Sequence, residues 1–160
     1  MANLNQTDDT EINIPFRFKR KPMAIAAELR PDWKIMSLLM SLQLSSHGGK
    51  SSLKRLHVLN WAIRSKRFGE DFTRILNDPS PLFGFGIRFE PAFSRAVDLA
   101  VGAGLVTWVG GNRLQISSKG KQAVTTALKD KELMEQERAF LQTLGKSVTE
   151  TVADRVLGNR

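Results

Sequence analysis

The 160-residue chain is 41% hydrophobic, enough apolar mass for one core but too short for a second full domain. Its 24 Lys+Arg against 16 Asp+Glu give a formal charge of +8, which favours polyanionic partners, either nucleic acid or an acidic protein. Cysteine is absent, which excludes disulfides, a thiolate metal site and a cysteine nucleophile and makes a reducing cytoplasm the expected setting.

Met1 to Thr10 is polar and acidic, unlike the basic start and apolar run of an export signal, and residues 1–11 read as a disordered lead. Ile12 to Lys19 alternates apolar and polar positions as a short strand would, and Pro15 makes it an edge strand at best. A first basic cluster, Arg17, Lys19, Arg20 and Lys21, follows. Pro31 suits the first turn of a helix, and Trp33, Ile35, Met36, Leu38, Leu39, Met40, Leu42 and Leu44 leave that helix few polar faces, so it reads as the buried centre of the fold. Ser37, Ser41 and Gln43 interrupt the run well short of the ~20 residues a membrane span requires, and no membrane partner is expected. His47, Gly48 and Gly49 stop the helix.

Ser51 or Ser52 can cap a second helix, roughly Leu53 to Arg64, with Leu56, Asn60 and Ile63 on one side and cations elsewhere. A third helix is expected from Glu70 to Leu76, ended by Asn77, Asp78, Pro79 and Pro81. Leu82 to Phe89 reads as a glycine-containing loop or short strand. Pro91 opens another helix through Val101, closed by Gly102 and Gly104. The segment GLVTWVGGNRLQISSKG, Gly104 to Gly120, places a strand, a tight turn, a second strand and a helix start in immediate succession, which is a β-hairpin leading into a helix.

The fold class expected is therefore mainly α: a winged-helix domain over residues 12–129, its hairpin serving as the wing, with a C-terminal helical extension over 130–160. In that extension Leu133, Leu141, Leu144, Val148, Val152 and Val156 form a narrow apolar stripe interrupted by Gly145. Either a partner covers Leu141, Leu144, Val148, Val152 and Val156, or the stripe folds back over its own domain.

Catalytic patterns are weak. The two histidines, His47 and His57, stand without a metal-ligand motif, and Gly84-Phe85-Gly86 and Gly102-Ala103-Gly104 lack the strand, helix and lysine of a phosphate loop. Glu70 and Asp71 are adjacent, so they point to different faces of a helix and make no acid/base pair. The expectation is a protein that is not an enzyme and takes no cofactor or metal.

Binding readings fare better. Gly48 to Arg67 carries Lys50, Lys54, Arg55, Arg64, Lys66 and Arg67 with no carboxylate. These can contact phosphates without reading sequence or face an acidic protein. Lys54 and Arg55 are expected to be exposed. Asn112 and Arg113 on the hairpin can touch a DNA backbone or minor groove. The helix before the hairpin offers DNA only Ser94, Arg95 and Asp98, and Asp98 repels phosphate, so base reading is poorly served. Trp61 and Trp108 can be interface anchors or core residues.

The segment RPDWKIMSLLMSLQ from Arg30 to Gln43, then Gly48-Gly49-Lys50, then LKRLHVLNWAIR from Leu53 to Arg64, resembles the small middle components of bacterial ABC three-component systems, including the small subunit of Lamassu-type anti-phage defence. The likeness is strongest over residues 30–67 and extends through 129. It implies a non-catalytic cytoplasmic accessory subunit that works beside a large coiled-coil ATPase of the SMC type and an effector, often a nuclease, in complexes that sense invading DNA. ATP is then bound by the ATPase, no catalytic residue carries over, and Trp33, Leu53, Leu56, His57, Leu59, Asn60 and Trp61 are structural. The alternative is a stand-alone winged-helix transcriptional regulator, dimerised through its C-terminal helix.

Overall fold

The computed structural model describes residues 24–64, 66–78 and 87–157. The lead over 1–11, the strand expected at Ile12–Lys19, the first basic cluster and most of the loop at Leu82–Phe89 lie outside the described residues.

The central helix forms as the sequence dictates. α1 spans Pro31–Ser45 with proline in its first turn, and Asp32 accepts from the Trp33 amide at 3.0 Å while pairing with Arg30 at 2.5 Å. It is buried nearly all round, which small hydroxyls permit because they satisfy themselves. Ser37 Oγ donates to the Trp33 carbonyl at 2.8 Å and Ser45 Oγ to the Ser41 carbonyl at 2.7 Å. The turn that stops α1 uses the left-handed conformation at Gly48 (φ 61°) and Gly49 (φ 68°), and a side chain at Gly49 would collide with Ile116. The chain therefore turns directly against the hairpin, where a short strand not expected from sequence, β1 (Lys50–Ser52), forms.

Ser52 then caps α2 (Leu53–Ile63), accepting from the Arg55 amide at 3.1 Å. α3 runs Lys66–Asn77, a turn longer than the sequence suggests, because Phe68 stacks on Trp61 with ring centroids 4.9 Å apart and recruits the first turn through a tertiary contact. α4 (Pro91–Gly102) packs on α1 and leads into β2 (Val106–Trp108) and β3 (Arg113–Ile116). The three strands form an antiparallel sheet in the order β1-β3-β2, with Ser51 opposite Leu114 and Thr107 opposite Gln115. Ser117 caps α5 (Ser118–Ala127), accepting from the Gly120 amide at 3.0 Å.

The C-terminal stripe is two helices, α6 (Glu135–Thr143) and α7 (Glu150–Val156), separated by a 3-10 turn at Gly145–Ser147. α6 packs on α1 and α2, and α7 on α2. Leu141, Val148, Ala153 and Val156 are buried in the same core as Leu38, Leu56, Phe72, Phe93 and Leu114. Among the described residues, the molecule is mainly helical with one small antiparallel sheet, and no helix is long and apolar enough to cross a membrane.

Candidate functional site

The basic stretch around α2 was the first candidate surface, and the fold divides it. Arg55 is not exposed, which corrects the expectation for it. It is 6% exposed and reaches inward, and its guanidinium fork donates to five acceptors. Nη2 meets the Ser45 carbonyl at 2.6 Å and the Gly145 carbonyl at 2.8 Å, Nη1 meets Ser46 Oγ at 2.8 Å and Ser51 Oγ at 3.1 Å, and Nε meets the Val148 carbonyl. The physical reason is that α1 ends beside the 3-10 turn, and their orphan carbonyls need a donor that water cannot supply there. Burial lowers the Arg55 pKa from its ordinary value; the Glu150 carboxylate opposes that shift and the Arg113 charge adds to it.

Lys54 is half-buried and ion-paired to Asp154 of α7. Arg113 lies 3.7 Å from Glu150, whose carboxylate also accepts from the Ser52 amide at 3.2 Å and from the Ser52 hydroxyl. α7 thus lays two carboxylates over the N-terminal end of α2 and the turn end of the hairpin. Lys50, Lys66, Arg67 and Asn112 remain exposed, with Lys66 only 3.9 Å from Glu70. Arg64 is half-buried, its guanidinium 5.7 Å from the Phe68 ring, and it lines a groove of about 510 Å³ with Gly69, Glu70 and Phe140.

The partner-binding stripe needs a second correction. Leu141, Val148 and Val156 are core residues, Val152 is partly buried against that core, and Leu144 is half-buried. Gly145 explains the tightness of the closure, because a Cβ there would collide with the Ser45 side chain. The apolar stripe is a cover for the chain's own core, since α1 and α2 leave a face that nothing else in the described chain fills.

A polar cluster that sequence reasoning missed fixes α4. Lys34, 1% exposed, pairs with Glu90 at 2.7 Å, and Asn60 Nδ2 donates to the other Glu90 oxygen at 2.9 Å. Burial pushes the Glu90 pKa up, but the hydrogen bonds from Lys34 and Asn60 and the Lys34 charge outweigh it and hold the carboxyl below its ordinary value. The Glu90 amide donates to His57 Nδ1 at 3.3 Å, and Ser94 Oγ lies 3.4 Å from His57 Nε2. The Phe89 and Phe93 rings meet the imidazole edge-on. The available signal was a lone lysine on a helix whose other faces are apolar, since a buried cation needs a carboxylate partner.

Burial lowers the His57 pKa from 6.5 to about 4, with the Glu90 carboxylate acting in the opposite direction. Below pH 6.5 the unfolded chain binds a proton that the folded chain refuses, so stability is complete above that pH and declines as pH falls toward 4. Urea unfolding of wild type and His57→Gln across pH 7 to 4.5 should show a steeper loss in the wild type. Parallel curves would remove His57 from the pH dependence.

On its other side α4 presents Ala92, Arg95, Asp98 and Leu99 to solvent, at the spacing of one helical face, while Phe93, Ala96, Val97 and Ala100 are buried. Phe89 and Leu99 are 52% and 54% exposed, and Trp108 on β2, a strand that packs against α4, is 44% exposed. Among the described residues, no group of three or more His, Asp or Glu side chains is placed to hold a metal ion. No family model, curated protein or solved structure matches this chain.

Proposed function

We propose that the chain is a non-catalytic winged-helix accessory subunit that joins an SMC-like coiled-coil ATPase to its effector in a cytoplasmic anti-phage or anti-plasmid complex. The observation that carries this reading is the internal use of the cations of α2 and the hairpin. Arg55 serves backbone carbonyls, Lys54 serves Asp154 and Arg113 lies against Glu150. A surface built for the DNA backbone keeps such cations free for phosphate, whereas here three of the best placed are occupied and large apolar side chains stand exposed nearby on α4 and β2. The winged-helix assignment draws support from the order α1, β1, α2, α3, α4, β2, β3, in which the short strand after the first helix pairs with the hairpin. The resemblance of residues 30–67 to the small components of three-component defence systems supplies the ATPase and effector. DNA contact in this reading is confined to the backbone and to Lys50, Lys66 and Arg67.

The experiment is co-purification of the tagged chain from its native host, with the recovered complex titrated against non-specific duplex DNA at two salt concentrations. A coiled-coil ATPase should be recovered, DNA binding should fall with a salt slope of about two to three phosphates, and Lys54→Glu should leave that binding unchanged. Recovery of a lone dimer that prefers one DNA sequence would replace this reading with a transcriptional regulator.

A further inference from the structure

We infer that the basic segment over residues 17–21 of this chain docks in an acidic groove between the start of α1 and the start of α6. The inference is independent of the adaptor reading above. The groove has a volume of about 650 Å³, and Trp33, Met36 and Leu133 supply its apolar lining. Its charged lining is one-sided: Asp32, Glu132, Glu135 and Glu137 stand against Arg30, the one cation among the described residues there. Arg30 pairs with Asp32, and Glu137 accepts from Trp33 Nε1 at 3.3 Å. Glu132 and Glu135 are exposed and make no ion pair among the described residues. The dipole of α6 favours Glu135 and Glu137 in its first turn, but the Glu132 carboxylate, in the link before that helix, has no such internal role.

Charge and tether together select the occupant. Residues 17–21 lie outside the described residues and read Arg17-Phe18-Lys19-Arg20-Lys21. Four cations around one aromatic side chain, with no carboxylate among them, complement four carboxylates beside an apolar lining. Lysine and arginine also lay aliphatic stems along apolar surface while their charged ends stay in water. The segment ends six residues before Ala27, which itself lines the groove, so Lys21 is within about 20 Å of that wall along the chain. Such a tether gives an effective concentration on the order of millimolar, far above that of a second copy or of another basic protein at micromolar concentration. Duplex DNA would meet four carboxylates in the groove, where its phosphates need cations. Docked, the four cations are neutralised within the molecule, as Lys54 and Arg113 are by α7.

The test is nuclear magnetic resonance of the full chain labelled with nitrogen-15. At about 0.01 M salt, where charges are felt over about 30 Å, the heteronuclear NOE of the amides of residues 17–21 should approach that of α1. It should fall to the level of a free chain at about 1 M salt, where screening acts within about 3 Å, and in Glu132→Gln/Glu135→Gln at low salt, with the other resonances unmoved. Because the chain has no cysteine, a nitroxide can be attached at one chosen thiol. On Ala139→Cys, exposed on α6, it should broaden residues 17–21. On Asn112→Cys, beside the start of α2 and beyond the far end of the 15-residue α1, which is about 22 Å long, it should leave them sharp. A low NOE at every salt concentration would overturn the inference, and so would ordering that survives both high salt and the double variant, since the segment would then be held elsewhere. Broadening of a labelled chain by nitroxide on an unlabelled one would overturn it in favour of a second copy.

Discussion

Arg55→Met should lower the free energy of unfolding by about 3–5 kcal/mol, because it strips a shared donor from three buried backbone carbonyls that are each left unsatisfied at about 1–3 kcal/mol. Those carbonyls belong to Ser45, Gly145 and Val148, so the loss falls at once on the end of α1 and on the connection between α6 and α7. Methionine keeps much of the volume, which separates the lost hydrogen bonds from a cavity. Arg55→Lys should recover only part of the difference, since an ammonium carries three donors and cannot address five acceptors in a planar fork. The measurement is urea unfolding followed by circular dichroism. A change under about 1 kcal/mol in Arg55→Met would mean that water can reach these carbonyls and that the arginine is a passenger.

Truncation after Lys129 should leave a chain that does not fold. It removes Leu141, Val148, Ala153 and Val156 from the core, at about 1.5–3 kcal/mol for each of the larger side chains, and it deprives Arg55 of two acceptors. The sum approaches or exceeds the whole stability of an ordinary domain, about 5–15 kcal/mol. A truncated chain with native near-ultraviolet circular dichroism and a sharp thermal transition would show that α6 and α7 are dispensable. The same truncation is a poor test of partner binding, because any loss of association would follow from loss of the fold.

Much of the architecture was legible because it rests on local signals. Pro31 placed the start of α1, the two glycines after His47 placed its end, and Gly104 to Gly120 announced the hairpin and the capped helix after it. What escaped depends on contacts distant in sequence. β1 is three residues without a strand pattern of its own and exists because β3 is beside it. Phe68 lengthens α3 by reaching Trp61. Arg55 looked like its neighbour Lys54, and nothing local distinguishes an arginine in solvent from one that gathers carbonyls 90 and 93 residues away. Periodicity marked Leu141, Leu144, Val148, Val152 and Val156 as needing cover, but a sequence pattern is the same whether that cover is another chain or α1 and α2. The poor fit of α4 to DNA was readable at Asp98, whereas the exposure of Trp108 was not, because a tryptophan on a short strand reads equally as core or as interface until the sheet is placed.

The closure of the core by α6 and α7 also bears on the link that carries them. Residues 129–133 are exposed, and by burial alone they contribute little. Yet the helices beyond them behave as a ligand for the rest of the fold, delivered by the tether at an effective concentration of about millimolar. Cut loose at micromolar concentration, the same helices would bind about a thousandfold less readily, which corresponds to roughly 4 kcal/mol. An exposed segment held by a few hydrogen bonds, two of them from Arg138 to the Asp130 and Lys131 carbonyls, thus contributes as much to stability as one or two buried leucines, and a protease that nicks it would convert one folded protein into two fragments in a concentration-dependent equilibrium.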